Sequence, residues 1–338
     1  FAQTVHLRPR NRLDASRKRK FGFSIVDGIK VYRLKRFFEY SDFILVKGLK
    51  QALAKIKPAI VFAHESRQGL PALAACYKSL FGYKLVVDQH DFYHQIPNHH
   101  WLKRFFRFLD YFLFRKLIVN YSLSNADRII AVTKETKEFL VKTHNIPSKK
   151  ILLVPLAVDT DFFKFDNKAR TDIRKKFNIK ETDIALIFSG TIVRRKGIEL
   201  LLEALSEIKN ENIKLLIVGS GDNLYMQELK NLSKKLGIEN KTIFTGFVRK
   251  DDVKDYFSAA DIGVWPGNNS VSIMEAMACR LPIVMVDLQL SHLVSYSNGL
   301  KFPQNDREKL KSALKKLIHN KNLRLKMANN SYLSIKKY

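Results

Sequence analysis

The chain has 338 residues, 46% of them hydrophobic, which is enough for two domains with sizeable cores. Its 60 basic residues against 32 acidic ones give a net charge of +28, which calls for an anionic partner: nucleic acid, an acidic membrane surface or phosphorylated ligands. Two cysteines, Cys76 and Cys279, exclude a disulfide framework and a cysteine-based zinc module, and no apolar run reaches the ~18 residues of a membrane-spanning helix. With no visible signal peptide, a cytoplasmic protein with reduced thiols is expected.

In chain order, residues 1–20 hold a charge run, LRPRNRLDASRKRK, of the kind found in solvated loops. SIVDGIKVYRL (24–34) turns at Asp27 and Gly28 and then alternates as a strand. Helical spacing is read over 43–56. AIVFA (59–63) reads as a short buried strand ending at His64 and Glu65, and 70–80 as a helix. Residues 84–87 read as another strand, ending at Asp88, Gln89, His90 and Asp91. His90 therefore stands at a strand end, where parallel sheets bind ligands, although loop histidines without a role are common there. His64 has the same kind of claim. The spacing of His94, His99 and His100 fits no strong metal pattern.

The segment 101–123 interleaves Phe105, Phe106, Phe108, Tyr111, Phe112 and Phe114 with Lys103, Arg104, Arg107, Arg115 and Lys116. Such a helix suits the surface of an anionic bilayer, and equally a partly buried position with a basic rim. A strand is expected at 127–132, a helix capped by Thr133 at 133–144, and a last strand at 151–158. Polar residues 159–182, with a helical KARTDIRKKF, carry the boundary between domains expected at 1–160 and 161–338.

The second domain opens with the buried strand IALIFSG (184–190), then TIVRRKG, then a helix with Ile198, Leu201, Leu202, Leu205 and Ile208 at helical spacing. Gly190 with Arg194, Arg195 and Lys196 suits a phosphate cradle, or a basic loop opening a surface helix. Strands at 214–218 and 242–248 and helices at 222–236 and 250–259 follow. VGSGD lacks the third glycine of a dinucleotide fingerprint. DIGVWPGNNSVSIMEAMACRLPIV (261–284) then reads strand, turn, helix, strand. The helix start after a strand can hold an anion through free N–H groups at Asn269, Ser270 and Val271. Glu275 either closes a capping box with Ser272 or takes the paired hydroxyls of a ribose.

EAMA-x-x-x-P in that last stretch, Lys196–Gly197, IVGSGD (217–222), FTGFV (244–248), ADRIIAVT (126–133) and VPLAVDTDFF (154–163) occur in an order that resembles the retaining glycosyltransferases of family four. The resemblance covers residue 26 to the end. It implies an α/β fold of two Rossmann-like, doubly wound parallel-sheet domains facing a cleft (GT-B). It also implies transfer of a sugar from a nucleotide-diphosphate sugar to a glycan or lipid-linked acceptor, without metal or cofactor. By resemblance Lys196 and an arginine take the diphosphate, Glu275 the ribose, the backbone at Phe247 and Val248 the base, and His90 lies beside the sugar. The acceptor would be reached at the inner face of the cell membrane, by peripheral contact with acidic lipid and without nucleic acid. The family pattern begins before this chain does and runs on after it, so the chain reads as cut at both ends.

Three departures stand out: Thr191 replaces an arginine, Gly267 a second glutamate, and Arg280 a glycine. Rival readings are a basic nucleic-acid-binding protein, favoured by charge alone, and a GT-B-like sugar-nucleotide epimerase.

Overall fold

The computed structural model describes residues 22–337 apart from 27, 41–42, 91–114, 210–211, 289 and 296. The expectations for 1–20 and for most of 101–123 lie outside the described residues. The chain divides into two compact units, one reaching Leu156 and the other running from Ala157.

The first unit opens with two antiparallel ladders. Strand β1 (Gly22–Val26) pairs with β2 (Ile29–Arg33), and β3 (Lys35–Tyr40) with β4 (Phe43–Lys47). The β4 strand corrects the helix expected over 43–56. Phe43, Ile44 and Val46 are buried, and β3 supplies the ladder partner. Gly48, at φ 90, ends the extended run. Only Leu49–Ile56 is helix α1.

Four parallel strands follow in chain order: β5 (Ile60–His64), β6 (Lys84–Gln89), β7 (Arg128–Ala131) and β8 (Ile151–Leu153). The last is shorter than expected, stopping before Pro155. Among them run α2 (Gly69–Phe81), α3 (Lys116–Asn125) and α4 (Lys134–His144). Thr133 caps α4 as its sequence predicts, accepting from the Thr136 amide at 3.1 Å. Leu85, Val87, Ile129 and Ala131 are fully buried and join Leu123 and Leu140 in one core. Such apolar strands, covered on both faces, are what a parallel sheet requires.

The second unit contains α5 (Asn167–Lys176), β9 (Ile184–Ser189), α6 (Ile198–Ser206), β10 (Ile213–Val218), α7 (Asn223–Lys235), β11 (Thr242–Gly246), α8 (Val253–Ala259) and β12 (Ile262–Trp265). It continues with α9 (Ser272–Ala278), β13 (Ile283–Val286), β14 (Gly299–Phe302), α10 (Arg307–His319) and α11 (Lys321–Ile335). Its six strands are all parallel, in the order β11-β10-β9-β12-β13-β14. This is the doubly wound Rossmann order, reversing direction between β9 and β12. Helices pack in two sets, α6 with α7 and α10, and α5 with α8, α9 and α11 in succession, as a sheet covered on both faces demands. The five apolar positions of α6 and its exit are buried as their spacing predicts. Among the described residues no helix is long and apolar enough to cross a membrane.

Candidate active site

In an open parallel sheet the strand order reverses at one place, and the loops leaving the two strands there part to form a crevice. In the second unit that place lies between β9 and β12. The loop after β9 carries Gly190 and a 3-10 turn at Arg194–Lys196; the loop after β12 carries residues 266–271.

The two loops are clamped together by backbone contacts. The Asn268 amide donates to the Arg195 carbonyl at 2.9 Å. Lys196 Nζ donates to the carbonyls of Asn268 (2.6 Å) and Asn269 (3.4 Å). A Cβ on Gly267 would lie 2.4 Å from the Arg195 oxygen. A glutamate at this position, expected from the resemblance, does not fit this backbone.

Behind the clamp, Ser272 Oγ donates to the Ser189 carbonyl at 2.9 Å and receives the Trp265 indole N–H at 3.1 Å, with Ser270 Oγ 2.7 Å away. The end of β9, the end of β12 and the start of α9 are thus joined by one polar knot. This corrects the capping box. Ser272 is the first residue of α9, its hydroxyl is committed to the strand end, and no side chain caps the helix. The amides of Ser270, Val271 and Ser272 accordingly make no hydrogen bond among the described residues.

On the other side of β9, Gly219 and Gly221 let the next loop close. A Cβ on either would lie 2.0 Å from the Gly190 oxygen or 2.1 Å from the Ile192 oxygen. The Ile192 amide donates to Ser220 O at 2.9 Å, and the Gly219 amide to Gly246 O at 3.1 Å. The G-x-G thus serves loop-to-loop approach. Exposed Phe247 and half-buried Val248 follow at the end of edge strand β11, linked to Gly190 through these contacts.

Gly190, Lys196, Asn269, Ser270 and Val271 therefore come together at the switch point. Glu275 lies one turn into α9. Burial pushes its carboxyl above the ordinary value, partly offset by Lys250 from the turn after β11, and no hydrogen bond reaches its carboxylate among the described residues. Burial, with Arg195 beside it, pushes Lys196 down to about 8. Arg195 is exposed and adds its charge at the loop. Arg194 is turned the other way: it pairs with Glu228 and Glu199 and stacks on the Tyr225 ring at 4.8 Å. Thr191 is exposed. Arg280 adopts a left-handed φ of 63 at the end of α9, where glycine is favoured, and stacks on Tyr332 of α11 at 4.8 Å. Its charge is therefore drawn toward α11.

His90 belongs to the first unit. Parallel pairing of β5 and β6 sets His64 against Asp88. His64 Nδ1 lies 2.7 Å and His90 Nε2 3.2 Å from the same Asp88 oxygen, and the Glu65 amide donates to the other oxygen at 2.9 Å. Burial pushes the Asp88 carboxyl up, but the bonds from His90, the Glu65 amide and His64 outweigh it and hold it below the ordinary value. Asp88 was missed from sequence. The signal was there: in an extended strand residues i and i+2 share a face, so Asp88 and His90 point the same way.

Two family profiles divide the chain between them. Glycosyltransferase Family 4 matches residues 5–162, and Glycosyl transferases group 1 matches residues 169–334. An uncharacterised glycosyltransferase of Methanocaldococcus jannaschii is 28% identical over 187 residues, 53% of this chain and 47% of its own length. A D-inositol 3-phosphate glycosyltransferase of Xylanimonas cellulosilytica is 29% identical over 168 residues, 47% of this chain and 40% of its own. The matches thus span less than half of either relative. Among solved structures, Anabaena Alr3699/HepE in complex with UDP superposes with a TM-score of 0.72 at 17% identity, covering 85% of this chain and 77% of that one, a likeness of fold. The chain belongs to the group 1 glycosyltransferases, and its fold is GT-B.

Proposed function

We propose that the protein is a retaining glycosyltransferase that takes a sugar from a nucleotide-diphosphate donor held by its second unit. The observation that carries this reading is the convergence, at the switch point, of a buried lysine, an exposed arginine and the amides of Ser270, Val271 and Ser272, which make no hydrogen bond among the described residues. Charge on the departing diphosphate grows as the anomeric bond breaks. Cations and fixed amides that meet this charge without reorganising lower the barrier. Lys196 and Arg195 supply the cations, and Asn269, Ser270 and Val271 line the phosphate approach. Arg194 joins them only by leaving Glu228 and Glu199. Glu275 takes the ribose hydroxyls, and the backbone at Phe247 and Val248 takes the base. His90 is assigned a part in the transfer on the family resemblance. No metal or other cofactor takes part.

The acceptor is a glycan or a lipid-linked sugar at the inner face of the cell membrane. A net charge of +28 and the basic aromatic segment 101–123 support contact with acidic lipid.

Calorimetry of UDP, GDP and ADP against the chain and its Lys196→Gln and Glu275→Gln variants tests the donor site. One nucleotide is expected to bind selectively, at least tenfold more weakly in each variant (about 1.4 kcal/mol). Equal binding by a folded Lys196→Gln protein would sink the assignment.

A further inference from the structure

Helices α10 and α11 carry a charge pattern that the transfer reaction does not use. From Lys309 to Lys337 there are nine basic residues and no acidic one. On α10 part of this charge is met locally, where Arg307 and Lys311 pair with Glu207 and Glu308. Along α11 it is not. Lys321, Lys326 and Lys336 are exposed, and among the described residues no ion pair reaches them. Arg280, at the end of α9, makes no ion pair there either. Arg280 and Lys336 both lie over the Tyr332 ring, at 4.8 and 4.9 Å.

We propose that the exposed face of α11 is a docking surface for an acidic lipid bilayer. Residues three or four apart share a helix face. Lys321, Leu325, Asn329, Tyr332 and Lys336 follow that spacing, with Lys326 and Leu333 on the adjoining row. The opposite face holds Met327, Ser331 and Ile335, which are buried in the second unit. Leu325 and Leu333 are 56% and 58% exposed. One exposed leucine on a surface is ordinary. Two on one helix face, set among cations that no carboxylate neutralises, is the composition of a helix that lies in a membrane interface. The leucines enter the boundary between headgroups and acyl chains, and the lysine stems lie alongside with their ammonium groups at the lipid phosphates. Half-buried Tyr332, with its polar end, suits the same depth. Nucleic acid would be met by the charge alone and offers the leucines nothing to enter. A second copy of the chain would set the same cations against each other.

The surface belongs to the second unit, whereas the lipid contact proposed above rests on residues 101–123 of the first. It shares with that reading only the need for an acidic leaflet, and it does not depend on the donor site.

The test is co-sedimentation of the full chain with mixed phosphatidylcholine–phosphatidylglycerol vesicles, with pure phosphatidylcholine vesicles as the neutral control and affinity read by titrating lipid. Lys321→Glu with Lys326→Glu reverses charge, and Leu325→Asn with Leu333→Asn removes the apolar contact. All four side chains are exposed, and circular dichroism checks the fold. Binding to the mixed vesicles alone is expected. Either pair should weaken it at least about tenfold, each lysine at an acidic leaflet counting for about fivefold. The same losses are expected in a background of Lys103→Ser, Arg104→Ser and Arg107→Ser, which separates this surface from the earlier segment. Undiminished binding by both pairs would overturn the proposal; if the background triple then abolished binding, the contact on 101–123 would stand by itself. Loss with the lysine pair and none with the leucine pair would mark a general polyanion surface, nucleic acid included, and overturn it too. So would a lipid-free dimer in sedimentation equilibrium that the leucine pair dissolves. No binding of the native chain to either vesicle would strike out both lipid contacts and leave the donor site untouched.

Discussion

Lys196 is the residue where burial and function pull in opposite directions. It stands at 6% exposure with its Nζ on two backbone carbonyls, and is pushed down to about 8 from 10.5. The folded state therefore binds fewer protons than the unfolded one between these values, and stability rises with pH across that window. An anion beside Nζ reverses the preference. Nucleotide-diphosphate binding at pH about 8 is thus expected to take up a fraction of a proton. The measurement is calorimetry in two buffers of different ionisation enthalpy. The apparent enthalpies should differ for the native chain and agree for Lys196→Met; agreement for both would rule out Lys196 as the diphosphate cation. His144 shifts in the same direction, in a lower pH window and with no ligand to reverse it. Burial, with Lys116 nearby, pushes it down to about 4, and its Nδ1 donates to Asn120 Oδ1 at 2.6 Å. Its contribution is fully present above 6.5 and is lost as pH falls toward 4, an effect of order 3 kcal/mol. Urea unfolding across that range should show the loss, and His144→Gln should flatten it; an unchanged slope in the variant would refute the assignment.

At the level of elements, apolar runs and glycine turns are legible and contacts between distant loops are not. IALIFS and KLLIV announce buried parallel strands because both faces of such strands are covered, and Ile184–Ser189 and Ile213–Val218 fall where they point. The 43–56 segment is misread because strand and helix share one apolar stretch, divided by a glycine whose φ the sequence does not display. Ser272 and Glu275 have the right spacing for a capping box, yet Ser272 bonds a strand 83 residues away. Spacing records local options, and tertiary competition chooses among them. Helix α5 is the sharpest example. Read locally, its basic residues suggest a solvated face. Arg174 is instead 1% exposed, donating to the carbonyls of Ala259 (2.8 Å), Lys180 (2.8 Å) and Asp183 (2.6 Å) and lying 3.3 Å from an Asp261 oxygen. Asp261 in turn accepts from the Ala185 amide at 2.8 Å and from Arg170 of the same helix at 3.0 Å, so the two arginines tie α5 to the sheet through it. Arg174→Ala removes a buried cation and its donors from three carbonyls and a carboxylate; the Ala259 oxygen keeps Arg170 (3.3 Å) and the Lys180 oxygen keeps the Asp183 amide (3.0 Å), but the Asp183 carbonyl loses the guanidinium. The substitution should lower the stability of the second unit by about 3–5 kcal/mol in chemical denaturation. A loss under about 1 kcal/mol would mean that water replaces the guanidinium and that α5 is held by something else.

Over the whole molecule, the two units carry separate cores and, by the accident of sequence, one cysteine each. Cys76 lies exposed on α2 of the first unit. Cys279 ends α9 in the second, 1% exposed, its thiol pushed up to about 12 by burial with Glu275 and Asp255 adding to the effect. Because the thiolate is the reacting species, burial slows Cys279 twice, by access and by ionisation; the second factor alone is about 10³ relative to an ordinary thiol. A chromogenic disulfide reagent should therefore modify one thiol of the native chain quickly and the other only as the second unit opens. Cys279 labelling against urea then reports the opening of that unit alone. It should shift to lower urea in Arg174→Ala while Cys76 labelling stays fast throughout. Two equally fast thiols in the native protein would show that α9 and the site it supports are not packed as described, and the argument for a preorganised anion site at its start would fall with them.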